Sequence, residues 1–543
     1  MQRLAAIALV VGWTAAGAQQ PVDPARQLLD DIQRRALERE ERREPPKIET
    51  KPEVAPKPAP EDSVCFEIDR IDLEGSIVLA PKVRDDILAR YAGRCLFRRD
   101  INAVLAALTE AYAERGYITT RVYIPAQKLS TRILRLLVIE GRIERIKLND
   151  DAAADARRAS TAFPVAAGEI LRLQDLEQGL DQLNRVPSSR ARLQLEPGAA
   201  PGGSIVVVQD RQQDRFRGTA GWDNYGQKST GERRFSFGVE VDNLLSLNDA
   251  WALYYVGSLD SNAVAATSSF GFGNWTLGGL FSYSESLQRL TADADLFGRF
   301  AVAGMFLEWL FERSPTTKTN LVAQFDRRAS RRQVNDVELA PQNLAVGRVG
   351  VRHQLRLDKE LLSIDGTLSS GTVLLGATRD APSISSDQPR AQFTKLDAGV
   401  SWLGRLAPGT LRSTLKAQYS RDALYSSEQM VVGGASTVRG YAEAATSGDK
   451  GWYIRNELTF DLPRTLLEFR GRNWTPHFQP YAFADGGEVR LVAGDAHRSL
   501  GSVGIGLRLA GTRISFDISI AYPFIRNDLP RQEFQARMAL QLW

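Results

Sequence analysis

From about Arg211 to Trp543 the sequence alternates between apolar and polar side chains, over more than 300 residues and with no helix-period stretch between. Phe235, Phe237, Val239 and Val241 are apolar, with Arg234, Ser236, Gly238, Glu240 and Asp242 around them. Leu415, Ala417 and Tyr419 alternate with Lys416, Gln418 and Ser420, and Ile514, Phe516, Ile518 and Ile520 with Arg513, Ser515, Asp517 and Ser519. A strand sends successive side chains to opposite faces, so each segment has one apolar and one wet face. A soluble sandwich has the same local pattern. Trp222, Trp251, Trp402 and Trp452 near strand ends favour membrane aromatic belts instead, and the chain ends on Trp543. At ~20 residues per strand with its loops, residues 210–543 accommodate about 16 antiparallel strands, an all-β transmembrane barrel. A barrel of that size encloses water rather than a packed core. In its last strand Phe534, Ala536, Met538, Leu540 and Leu542 share one face, and Trp543 falls out of phase.

Composition is compatible with this reading. Hydrophobic residues make up 43% of the chain, an ordinary value, because barrel strands carry only half their residues toward lipid. The net charge of +4 gives no reason to invoke nucleic acid. Residues 1–18 read as a secretory signal: Arg3, an apolar run from Leu4 to Val11, and Ala16-Gly17-Ala18 before Gln19. In an exported chain the pair Cys65 and Cys95 suggests one disulfide, the alternative being two separate buried thiols.

Between signal and barrel the periodicity is helical or mixed. Residues 19–43 contain a charged helix from Pro24 to Arg43, with Leu28, Leu29, Ile32, Ala36 and Leu37 on one stripe. Residues 44–62 form a proline-rich, extended tether. A helix so tethered docks elsewhere or stays mobile. Residues 63–141 read as an α/β unit, with strand at Phe66–Leu79, helices at Pro81–Tyr91 and Asp100–Arg115, and strands at Tyr117–Ile124 and Thr131–Val138. Residues 142–209 read as a second unit, with strand Ile143–Leu148, helix Leu173–Asn184, and strands Ala191–Leu195 and Ser204–Val208. The two share a strand-helix-strand-strand plan.

Several motifs in this frame resemble a known family. Gly116-Tyr117-Ile118-Thr119-Thr120-Arg121-Val122-Tyr123-Ile124-Pro125 and Val138-Ile139-Glu140-Gly141-Arg142-Ile143-Glu144 are similar to a first POTRA module, and Leu176 to Ser188 to a second. The barrel region holds Val438-Arg439-Gly440-Tyr441 and the F-x-D-x-G pattern of Phe483, Asp485 and Gly487. In this order they resemble the TpsB transporters of two-partner secretion, the hemolysin and adhesin exporters.

The resemblance implies an outer-membrane barrel with periplasmic POTRA domains. Its partners would be a large exoprotein with an N-terminal secretion domain, the surrounding lipid, and the barrel assembly machinery during biogenesis. Read alone, Arg439 is a solvated loop arginine. The resemblance places it at the tip of a loop folded into the lumen, paired with Asp485 on the inner wall. It also makes the N-terminal helix a plug. Strand edges at Tyr117, Thr119, Arg121 and Tyr123, or at Ala191–Leu195, are the candidates for partner binding by β-augmentation. An assembly factor that inserts other barrels, or a diffusion porin, are the rival readings. His353, His477 and His497 are far apart, and Ala377 stands where a phosphate loop starting at Gly371 needs lysine. Neither an enzyme nor a cofactor or metal is expected.

Overall fold

Sixteen antiparallel strands, from Phe216–Asp223 to Phe534–Gln541, pair in chain order, and the last pairs with the first to close a barrel. A two-residue strand, Val337–Glu338, only lengthens one hairpin. The computed structural model describes residues 23–41, 48–49, 64–150, 152–460, 462, 477–511, 513–525 and 527–542. The expected signal at 1–18, most of the expected tether and Trp543 lie outside these residues.

Burial in the barrel is inverted relative to a soluble protein. Phe235 and Phe237 are 56% and 54% exposed, whereas Glu240 and Asp242 on the same strand are 8% and 1% exposed. The apolar face therefore points out and the polar face into the lumen, as a lipid-facing wall demands. Trp275 and Trp309 stack at 5.5 Å, with Phe311 edge-on to Trp309, near one rim.

The two α/β units share one topology. In the first, Arg70–Glu74 runs parallel to Ile133–Ile139, and Arg121–Tyr123 lies antiparallel on its other side. In the second, Arg142–Leu148 runs parallel to Gly203–Asp210, with Ala191–Pro197 antiparallel. Each sheet is covered by two helices: Pro81–Leu88 and Arg98–Ala113, then Ala153–Ala162 and Leu173–Asn184. Cys65 and Cys95 form a disulfide with Cα atoms 5.5 Å apart, joining a separate strand pair, Cys65–Ile68 and Arg94–Phe97.

Four expectations need correction. The strand Phe66–Leu79 is two short strands, Cys65–Ile68 and Arg70–Glu74, after which Gly75 turns the chain at φ +79°. The strand Tyr117–Ile124 shrinks to Arg121–Tyr123. Gly116 takes φ +90°, and Tyr117 folds back edge-on to Tyr112 at 6.2 Å, so residues 117–120 form a turn. Helix Ala153–Ala162 was not anticipated, because small alanines and a buried Arg158 form its inner face. It also adds a second helix to the plan read from the sequence.

The second unit is fastened to the rim of the barrel. Arg313 donates to Glu177 at 3.1 Å and to Asp181 at 2.6 Å. Gln178 and Gln182 both donate to the Gly273 carbonyl at 2.8 Å. Arg158, 1% exposed, reaches Asp210 at 2.7 Å and Asn248 at 3.3 Å. These contacts identify the rim with the turns at 243–249, 273–274 and 314–316 as the side bearing the α/β units.

Candidate functional site: a lumen filled by a helix and a loop

The long segment 421–449, between strands Gly409–Ser420 and Lys450–Phe460, turns inward, and its tip is almost dry. Val438 and Tyr441 are fully buried and Arg439 is 2% exposed. Arg439 meets Asp485 through a bidentate fork, Nε to Oδ2 at 2.7 Å and Nη2 to Oδ1 at 2.9 Å. Its backbone N–H donates to the same carboxylate at 3.2 Å. Charge-assisted, two-point pairing of this kind is among the stronger polar contacts. The guanidinium lies 3.7 Å from the centre of the Phe483 ring, so the motif's phenylalanine forms a floor beneath the arginine.

The other motif residues have local reasons. Gly440 adopts φ +88° and pairs, with Tyr441, against Arg531–Gln532. A Cβ there would come within 3.1 Å of both Ala521 and Pro523. A Cβ on Gly487 would meet Trp452 O at 2.9 Å. The Tyr441 hydroxyl sits 3.3 Å from both the N–H and the carbonyl of Gly501.

The sequence reading missed the rest of this network. Arg439 also donates to Glu457 at 2.8 Å, and Glu457 accepts from Arg508 at 2.6 Å. Arg508 pairs with Asp517 at 3.0 Å and covers Tyr481. Four neighbouring strands thus supply three carboxylates and one further arginine beneath one loop arginine.

A second anchor lies near the start of the same loop. Glu428, with a side chain 1% exposed, accepts from Arg348 at 2.9 Å and Lys395 at 3.1 Å, with Arg328 at 3.3 Å. Arg328 also binds Asp326 at 2.8 Å, and Arg348 binds the same aspartate. Three cations from three strands converge on a single loop carboxylate and one wall carboxylate.

The N-terminal helix, Pro24–Glu41, stands in the lumen beside this loop. Asp23 caps it, accepting from the Ala25 N–H at 2.9 Å, with Pro24 at the first helical position. Ala25 and Leu28 pack on Ala263 and Ala265 of the wall. Polar contacts hold the remainder. Ser284 donates to Asp23 at 2.6 Å, Arg39 to Glu240 at 2.8 Å, and Arg412 to Glu41. Arg26 donates to the carbonyls of Ser426 at 2.9 Å and Gln429 at 2.6 Å, on either side of Glu428. A cavity of about 1280 Å³ remains beside the helix.

At the expected partner-binding edges, Tyr123 is 49% exposed on the outer strand of its sheet, opposite Leu137. Tyr117 packs on the core of its unit, and Thr119 lies in the turn with a buried hydroxyl, so neither presents a strand edge. The Ala191–Pro197 edge is covered at Leu193 and Gln194 by Ile48–Glu49 of the tether, in parallel.

Residues 202–509 match the family described as haemolysin secretion/activation protein ShlB/FhaC/HecB. Residues 66–141 match the ShlB-type POTRA domain and 142–197 a further POTRA domain. The chain is 33% identical over 471 residues to the outer membrane transporter CdiB of Dickeya dadantii, covering 83% of each chain. It is 32% identical over 432 residues to the hemolysin transporter protein ShlB of Serratia marcescens, covering 76% of each. The solved structure of CdiB from Escherichia coli superposes with a TM-score of 0.85 at 26% identity, over 97% of this chain and 100% of that one.

Proposed function

This chain belongs to the ShlB/FhaC/HecB family of haemolysin secretion and activation proteins, and from that premise we propose a gated conduit that exports one large partner protein through its lumen. It is an outer-membrane transporter of two-partner secretion, with its POTRA domains in the periplasm. The observation that carries the gating mechanism is that the helix is held mainly by hydrogen bonds and ion pairs, which can be exchanged for water or for another polypeptide. The loop, by contrast, adds to its ion pairs an apolar cluster of Met430, Val432, Val438, Tyr441 and Ala445 against Val489 and Leu500.

In this reading the unfolded partner, bearing an N-terminal secretion domain, is captured in the periplasm. Among the described residues Arg121–Tyr123 is the outer strand of its sheet, and strand addition there would place the partner beside the exposed aromatic body of Tyr123. The partner then threads past the helix, which withdraws on its tether, and past the loop, which leaves Asp485 and the Glu428 cluster. Folding outside the cell makes the passage irreversible, with no nucleotide hydrolysis. Arg439 acts as the latch, Asp485 as its seat, and Gly440 and Gly487 as the positions that let loop and wall approach.

The lumenal helix and the two POTRA units favour export over assembly of other barrels, although an assembly factor would use Arg439 and Asp485 in the same way. Depletion separates the two: loss of one secreted protein supports export, and general loss of barrels refutes it. Deleting residues 19–60 should raise pore conductance in planar bilayers, and unchanged conductance would remove the plug from the mechanism.

A further inference from the structure

The strand Thr317–Val334 carries two arginine pairs, Arg327-Arg328 and Arg331-Arg332, and only one member of the first pair is used by the lumen. Asp326 and Arg328 point inward, into the Glu428 cluster. Alternation therefore sends Phe325, Arg327, Ala329 and Arg331 outward, onto the lipid-facing wall. Among the described residues neither Arg327 nor Arg331 has a carboxylate within salt-bridge distance. Across the adjacent strand Arg331 stands directly opposite another outward arginine, Arg299. Arg299 is itself neutralised on its far side by Glu285 at 3.2 Å. Glu338 in the same hairpin opposes Gln333, and among the described residues neither it nor Asp336 forms a salt bridge with these arginines. Like charges directly opposed on one sheet face repel, so this patch lacks counter-charge.

Its height on the barrel is informative. The POTRA-bearing rim fixes the periplasmic side, and Thr317 starts the strand there. Arg327 is ten residues further on, about 25 Å along the axis at ~3.4 Å per residue and a ~40° tilt, which is roughly the height of the apolar band. Arg331 lies higher still. Below them Phe325 and Val349 face lipid, Val349 being 58% exposed. Beside them the turn at Val373, Leu374 and Leu375 leaves side chains 44%, 57% and 62% exposed. Gly376 in that turn would bring a Cβ to 3.6 Å from the Arg327 guanidinium. An unpaired arginine is costly in the middle of the band and far less so at the interface, where its long stem can snorkel.

We propose that Arg327 and Arg331, with the apolar shoulder at Leu374–Leu375, bind the phosphorylated headgroup of an outer-leaflet glycolipid. The inference rests on the barrel lying in the outer membrane, but not on the gating mechanism. Guanidinium forks match phosphate oxygens in two-point geometry. The two arginines are four residues apart, about 13 Å along the strand, which suits a headgroup bearing two separated phosphates better than one phosphate diester. The exposed leucines, just past Thr372 at the level of Arg327, add an apolar shoulder beside the headgroup.

The full-length protein in detergent is titrated with lipid A carrying both phosphates, lipid A stripped of them, and phosphatidylglycerol, with bound lipid counted by native mass spectrometry. The bisphosphorylated form should bind in preference to both others. At ~1 kcal/mol per arginine near a lipid headgroup, R327A/R331A should weaken it by roughly thirtyfold, with R327K/R331K falling between. Heat-modifiable migration on gels verifies that each variant is folded. Equal binding by the double alanine variant, by the stripped lipid or by phosphatidylglycerol would overturn the proposal.

Discussion

Replacing Glu428 by glutamine removes one negative charge and little volume from a site where Arg328, Arg348 and Lys395 converge. Asp326 remains for two of the three cations, and Asp397, at 3.6 Å, remains for Lys395. Breaking a buried ion pair by deleting one partner costs about 3–5 kcal/mol. The residual acids point to the lower end, about 3 kcal/mol, and the loop-in state bears most of it because the cluster exists only there. At 1.4 kcal/mol per tenfold change, the ratio of loop-in to loop-out states falls by about two orders of magnitude. Single-channel recording in planar bilayers reads this as time spent in the high-conductance state. Arg26 grips the carbonyls flanking Glu428, so R26A and E428Q should not be additive, with a coupling of at least about 0.5 kcal/mol in a double-mutant cycle. If E428Q inserts normally and its open time stays within twofold of the parent, the cluster does not hold the loop. Strict additivity with R26A would separately refute the link between helix and loop.

Arg439→Ala strands Asp485, while Glu457 keeps Arg508 at 2.6 Å, and should lower secretion of the partner at least tenfold, with less than a twofold change in folded barrel, compared by immunoblot of medium and membranes. Cys65→Ser with Cys95→Ser opens a loop of 30 residues, which should cost the first POTRA unit about 3 kcal/mol in denaturant melts, as reduction should in the parent. Arg313→Ala removes the clamp on Glu177 and Asp181, and cross-linking between the Leu173–Asn184 helix and the barrel rim should become broader without loss of the barrel. The Glu144 carboxylate is held below its ordinary range by the N–H groups of Ala200 and then Ala199. A lowered folded value stabilises above the unfolded value and is lost as pH falls through the folded one. Hydrogen exchange in the turn 198–203 should therefore be insensitive to this group between pH 5 and 8, and rise only in stronger acid.

Alternation made the barrel legible because lipid and water select opposite residues on successive positions of every strand. The same property concealed the lumen's working parts. Asp326, Arg348, Lys395 and Glu428 each read as one more polar residue on a wet face, and nothing local says that four distant segments converge. Arg439 and Asp485 stood out only through motif resemblance, and Glu457 and Arg508, which extend that pair, carry no such mark. In the POTRA units the failures have a different origin. Tyr117 to Ile124 is rich in aromatic and β-branched residues, yet the packing of Tyr117 on Tyr112 diverts its first half into a turn. Helix Ala153–Ala162 buries alanines and an arginine, a face with too little hydrophobic contrast to register as a stripe. Tertiary pairing overrode local preference in both places.

The chemistry of the filled lumen bears on how it can be emptied. Among the described residues the helix buries Ala25 and Leu28 against two wall alanines, with Leu29, Ile32, Tyr254 and Val256 partly covered. Burying a full leucine is worth about 1.5–3 kcal/mol, so this contact contributes only a few kcal/mol. The ion pair of Arg39, whose side chain is half exposed, borders an open cavity of about 1280 Å³ and adds about 1 kcal/mol or less. Glu41, with its side chain 8% exposed, is the drier of the two. The Arg439 and Glu428 sites are far drier, and breaking either leaves buried charge behind. The helix is therefore the weaker occupant and should leave first, and its departure removes Arg26 from the loop carbonyls that flank Glu428. An arriving polypeptide supplies new polar partners in place of those lost. A helix withdrawal that weakens one loop anchor before the Arg439 latch is tested gives an order of opening that follows from hydration and burial alone.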